Sequence, residues 1–151
     1  MSISEAEYAR MLADNPEIRT DEQIDAARGY SVPTEATEQI HLIAWVDANM
    51  PICPQLRWLF HPANGEYRHP ATAGRLKAMG VRPGVPDIMF PVSSRGYVGL
   101  AIELKRSDKS NKATAGQSEW LHWLRREGWD THVCYGASEA ITAIKRYMGM
   151  E

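Results

Sequence analysis

The chain has 151 residues, 44% of them hydrophobic and 24% charged, with a formal net charge of −2 and 2 cysteines. These proportions fit one globular domain large enough for a real core, and they exclude a disordered chain or a disulfide-stapled scaffold. With no apolar run near the roughly 18 residues of a membrane span and no basic-then-apolar leader, a soluble cytoplasmic protein with free thiols is expected.

The charge is unevenly spread. Residues 1–50 hold 3 Lys and Arg against 10 Asp and Glu, whereas residues 51–151 hold 14 against 9. Basic segments attract phosphate backbones, so the second part of the chain points to nucleic acid; a solvated basic loop is the plainer alternative.

At the start of the chain, Ser4 suits an N-cap and Glu5 to Ala13 has helical composition. Residues 1–32 are expected to form an acidic helical extension ahead of a core domain, 33–151. Thr34 can cap a helix running to about Ala48, with its apolar surface supplied by Ile40, Ile43, Ala44 and Val46. Glu35 and Glu38 fall in its first turns, where carboxylates suit the helix dipole. Alternatively, one of them leans over a sheet as a ligand. After Pro51 and Pro54, Leu56 to Phe60 reads as a short strand, and the loop after it carries His61. His61 and His69 are candidate substrate contacts. Pro70 fits a helix start and Gly80 a stop, with Leu76 and Met79 facing inward. Arg68, Arg75, Lys77 and Arg82 make this excursion basic and suited to a DNA backbone.

Two apolar runs of strand length follow, Gly84 to Phe90 and Tyr97 to Lys105, with turn residues Ser93, Ser94, Arg95 and Gly96 between them. They predict a hairpin. With its turn centred on residue 95, positions whose numbers sum to 190 face each other, which sets Asp87 beside Glu103. Strand alternation puts Lys105 on the same face as Glu103. Like charges opposed on neighbouring strands are destabilising, and a divalent cation removes the conflict, since Mg²⁺ is held by one or two carboxylates plus waters and phosphate oxygens. A plain ion-pair cluster, with Lys105 neutralising Glu103, explains the spacing equally well. Arg106, Lys109 and Lys112 continue as a basic run, a candidate DNA contact.

Thr114 or Ala115 opens a helix through Glu127, with Gln117 in its first turn and Trp120, Leu121 and Leu124 as its buried stripe; Gly128 stops it. Asp130 to Tyr135 is the next strand. Ser138 caps a last helix that aligns Ile141, Ile144 and Tyr147. The fold class is therefore α/β, a central mixed four-stranded sheet in which a parallel pair lies beside the antiparallel hairpin. The tryptophans offer stacking surfaces for bases, but Trp45 and Trp120 read as core by size and spacing. The chain has no Walker A sequence, Gly-rich dinucleotide turn, G-x-S-x-G elbow or H-E-x-x-H pair. A Cys134–His132 nucleophile lacks an orienting group.

Taken in order, Gly84-Val85-Pro86-Asp87, Gly99 to Lys105, and Gln117-Ser118-Glu119-Trp120-Leu121 resemble the VRR-NUC (virus-type replication-repair nuclease) family of the PD-(D/E)xK superfamily, over about residues 33–148. The resemblance implies a restriction-endonuclease-like core and Mg²⁺- or Mn²⁺-dependent hydrolysis of DNA phosphodiesters. It implies that Asp87 and Glu103 bind metal, that Lys105 is the catalytic lysine and that Gln117 is the motif glutamine. Glu35, four residues before Gln39, best matches the acid of the first helix and a further metal ligand, with Glu38 second. Short members of the family look like phage or prophage proteins, which for a phage-encoded chain implies a bacterial host cytoplasm, and some resemble junction-resolving homodimers. From a different class, a non-catalytic nucleic-acid-binding or protein-interaction module on the same scaffold is the alternative; EDTA-sensitive cutting discriminates the two.

Overall fold

A computed structural model describes residues 32–63 and 70–151. The chain divides into Met1–Thr34 and Glu35–Glu151. The expected extension falls outside the described residues but for its end, as do Arg68 and His69. In order, the described elements are α1 (Glu35–Asn49), a 3-10 helix (Pro54–Trp58), α2 (Pro70–Ala78), β1 (Ile88–Phe90), β2 (Leu100–Lys105), α3 (Ala115–Arg126), β3 (Asp130–Tyr135) and α4 (Ala137–Met148). No helix among the described residues is long and apolar enough to cross a membrane.

Among the described residues the sheet has three strands in the order β1-β2-β3, not the four expected. β1 and β2 are antiparallel, pairing Ile88 with Ile102, Met89 with Ala101 and Phe90 with Leu100, while β2 and β3 are parallel. Leu56 to Phe60 does not supply the fourth strand. Pro54 opens a 3-10 helix there, and Leu56 and Leu59, three residues apart, both turn into the core. Only Phe60 pairs, in a single antiparallel bridge with Met89.

The hairpin register sums to 190 as the spacing predicts, but the turn itself does not share it. Ser94 pairs with Tyr97, and Arg95 (φ 53°) and Gly96 (φ 86°) are both left-handed, the signature of a two-residue hairpin turn. The one-residue slip between turn and ladder is absorbed by Pro91 to Ser93 and Val98 to Gly99.

Alternation along β2 separates two cores. Leu100, Ile102 and Leu104 join Ile88, Phe90, α1, the 3-10 helix and α4 in the larger one. Ala101 faces the other way, with Leu121 and Leu124 of α3 and the flanking Met89, Trp120, Trp129 and Val133. In α1 the buried stripe is Glu38, Leu42 and Val46, at four-residue spacing. Ile40, expected inside, is 67% exposed, and Ala44 is exposed too. Met79 likewise points outward, beyond the end of α2. In α4, Ile144 and Tyr147 are buried as the spacing indicates, and Tyr147 donates its hydroxyl to the Val92 carbonyl at 2.6 Å. The N-cap is Gly136 (φ 89°), not Ser138, which is exposed.

Candidate active site

The hairpin delivers its charged residues where the two cores end. On β2, Ala101, Glu103 and Lys105 share one face; the first is buried beneath α3, and the next two step beyond it along the strand. Asp87, one residue before β1, continues the register opposite Glu103. Its Oδ2 accepts a hydrogen bond of 2.8 Å from the Leu104 N–H, so the carboxylate is held by β2 itself.

Glu103 is 1% exposed and Lys105 is 5% exposed. Lys105 Nζ lies 3.5 Å from Glu103 Oε1 and 3.8 Å from Oε1 of Glu35, which reaches in from the first turn of α1. Burial pushes the Glu103 carboxyl up to about 8, and the neighbouring Asp87 charge adds to this, with Lys105 only partly offsetting both. Glu103 Oε2 is buried without a hydrogen-bond partner. An unpaired buried carboxylate oxygen is costly, and a divalent cation between Asp87 and Glu103 would satisfy it. The donor set fits such an ion, since two hard carboxylate oxygens are what Mg²⁺ takes from a protein. Among the described residues no group of three or more Asp, Glu, His or Cys side chains is arranged as a metal cluster. Glu35 stands against Lys105, its carboxylate and that of Glu103 both facing the same Nζ.

Glu38 has another task. Its Oε2 accepts a 2.6 Å hydrogen bond from the Ala137 N–H, in the first turn of α4, where Gly136 offers no side-chain cap. It is the N-terminal anchor of α4, supplied by α1. Gln117 is also committed locally. Thr114 and Gln117 form a capping box at the start of α3, with Thr114 N–H donating to Gln117 Oε1 at 2.8 Å and Gln117 N–H to Thr114 Oγ1 at 3.3 Å.

Around this centre, Arg106 to Lys112 form the loop leaving β2. Arg106 pairs with Asp108 at 3.6 Å, Lys109 is left-handed (φ 60°) with Nζ 5.5 Å from the Tyr135 ring centroid, and Lys112 is exposed. Arg75 and Lys77 sit in the last turn of α2, and Arg82 Nη1 donates to the Lys77 carbonyl at 3.3 Å.

His61 is placed more tightly than a substrate contact. Its Nδ1 lies 2.6 Å from the Asp87 carbonyl oxygen. The bridge between Phe60 and Met89 explains why: in its register the next donor to that carbonyl is residue 62, which is Pro62 and has no N–H. The imidazole substitutes for the missing amide, and a bond to a carbonyl requires the proton on Nδ1. The Pro immediately after His61 is the signal in the sequence.

Gly84 (φ +81°) is the other fixed point of the Asp87 loop. A Cβ there would stand 2.9 Å from the Gly116 backbone at the start of α3, so the loop lies directly on that helix. Elsewhere, Cys53 and Cys134 are free and buried. Burial pushes the Cys134 thiol up to about 12, and His132 is paired with Asp130 at 2.9 Å, so that pair forms no nucleophile.

No curated protein matches the chain. A solved structure described as a VRR_NUC domain protein superposes with a TM-score of 0.65 at 26% identity, over 80% of this chain and 93% of that one. The VRR-NUC domain profile matches residues 34–138, a span that includes Glu35, Asp87, Glu103, Lys105 and Gln117. The chain belongs to the VRR-NUC family of nucleases.

Proposed function

We propose that this protein is an Mg²⁺- or Mn²⁺-dependent endonuclease that hydrolyses DNA phosphodiester bonds. The observation that carries the proposal is the buried Glu103 Oε2, unpartnered beside Asp87, with the Lys105 ammonium 3.5 Å from the same carboxylate. The ion pair with Lys105 engages Oε1 and leaves Oε2 without a partner.

In this reading Asp87 and Glu103 hold the cation, which supplies Lewis acidity to water and to a phosphate oxygen. Lys105 places a fixed positive charge where the scissile phosphate gains negative charge, in a site dry enough for that charge to count. Glu35 steadies Lys105 from the open side. Gln117 shapes the first turn of α3 at the site's edge, and Leu104 and His61 fix Asp87. Arg106, Lys109, Lys112, Arg75, Lys77 and Arg82 neutralise backbone phosphates. The preference for branched or junction DNA, the homodimer and the setting in phage or prophage replication, recombination or repair rest on the family resemblance.

A labelled panel of duplex, flap, junction and single-stranded DNA, incubated with Mg²⁺ and with Mn²⁺, tests this. The expected outcome is cation-dependent cutting that EDTA stops and that Lys105→Ala abolishes while DNA binding persists. Full activity in Lys105→Ala refutes the assignment, and metal-independent binding with no cutting returns the non-catalytic alternative.

A further inference from the structure

The surface of α3 carries two indoles, of which Trp120 packs on the smaller core and Trp123 on neither. Trp123 is 54% exposed. Trp120 is half-buried, fixed by a 3.0 Å hydrogen bond from its Nε1 to the Pro83 carbonyl. With Pro83, Gly116, Glu119 and His122 they line an open cleft of about 530 Å³, within the range of small-ligand sites. An exposed tryptophan costs solubility and adds little stability, so Trp123 beside the fixed Trp120 on one cleft calls for an occupant.

Three links tie the elements that line the cleft to those that carry the candidate active site. Trp120 packs against the Ala101 cluster, and Glu103 is two residues further along the same face of β2, about 7 Å. Pro83 is four residues before Asp87 on the loop that Gly84 seats against Gly116. Gln117, the motif glutamine, follows Gly116 directly. The guanidinium of Arg126 lies over one face of the Trp123 ring, 5.7 Å from its centroid.

We infer that this cleft receives an unpaired nucleobase of the DNA strand held at the carboxylates, stacked on Trp123 against the fixed Trp120, with Arg126 near the adjoining phosphate. Stacking suits every base because each has a π-face, so the cleft selects for an unpaired nucleotide, not for a sequence. The substrate class is DNA with an extruded, bulged or flapped nucleotide next to the cut. The inference rests on the nuclease reading for the strand's presence, but its binding test does not depend on catalysis.

The probe is a duplex with a single bulged 2-aminopurine, compared with the same duplex fully paired, in EDTA so that the strand stays whole. Wild-type protein is expected to quench the bulged fluorophore. Trp123→Ala should bind the bulged duplex about 5- to 100-fold more weakly and the paired duplex unchanged, while Trp123→Phe retains most of the affinity. Equal affinity of wild type and Trp123→Ala for the bulged duplex overturns the inference. So does an equal loss on both duplexes, or a change of oligomeric state in sedimentation, which would make the cleft an interface between copies. Cutting in Mg²⁺ is read separately: wild-type cleavage that Lys105→Ala abolishes upholds the nuclease reading whatever Trp123 does. Quenching without any cleavage keeps the base site on a binding module.

Discussion

Glu103→Gln isolates the charge of the buried carboxylate while keeping its shape. The fold favours the neutral form of Glu103, because its carboxyl titrates at about 8 instead of 4.5. As pH rises past 4.5 the unfolded chain loses this proton first, so stability falls through the interval up to about 8 and then levels. A tenfold change in proton affinity is worth about 1.4 kcal/mol, which sets the cost of the ionised group on the order of 4–5 kcal/mol above pH 8. Burial is the larger part of that cost and the neighbouring Asp87 charge adds to it. In thermal melts with EDTA, wild type should lose stability from pH 5 to pH 8 more steeply than Glu103→Gln. Each kcal/mol amounts to roughly 3–5 °C in a domain of this size. At pH 8, added Mg²⁺ should restore wild type by binding the ionised pair and leave the variant where it was. Identical pH slopes in the two proteins, or an equal Mg²⁺ gain, would refute both the burial argument and the cation site.

Other substitutions separate roles that look alike in the sequence. Glu38→Ala should cost about 1–3 kcal/mol in denaturant melts, because it strips the Ala137 N–H of its partner; Glu35→Ala should melt within about 0.5 kcal/mol of wild type but lose cleavage. Gly84→Ala meets the Gly116 backbone at a left-handed position, so a loss of about 1–3 kcal/mol together with weakened cleavage is expected. His61→Phe should raise the Mg²⁺ concentration needed for half-maximal cutting, and His61→Asn, which keeps a donor, should restore part of it; equal Mg²⁺ curves for His61→Phe and wild type would argue against a positioning role. Tyr147→Phe removes the hydroxyl bond to Val92 and should cost about 1–3 kcal/mol without touching cleavage.

What the sequence made legible followed from local rules. Alternation and the two apolar runs set the register of Asp87 against Glu103, although the turn, centred between Arg95 and Gly96, lies one residue out of step with the ladder. The start of α3 at Thr114 or Ala115 and the span of β3 were equally readable, but the capping box between Thr114 and Gln117 was not. Contacts between distant elements were not. Nothing within Leu56 to Phe60 shows that three-residue spacing would win over extension, since short apolar runs suit both. Ile40 reads as core until Leu42 and Val46 are seen to define the buried stripe. The division of labour between Glu35 and Glu38 depends on α4, about 100 residues away in the chain, and no periodicity in α1 reveals it.

The substitution of an imidazole for an amide beside Asp87 ties two neighbouring positions together. Any residue other than proline at 62 brings its own N–H to that carbonyl and releases His61 for other uses. Proline at 62 leaves position 61 confined to side chains with a donor of the right reach. Among related chains the two sites should therefore vary jointly, with histidine surviving only where the ring nitrogen of its successor blocks the ordinary ladder bond.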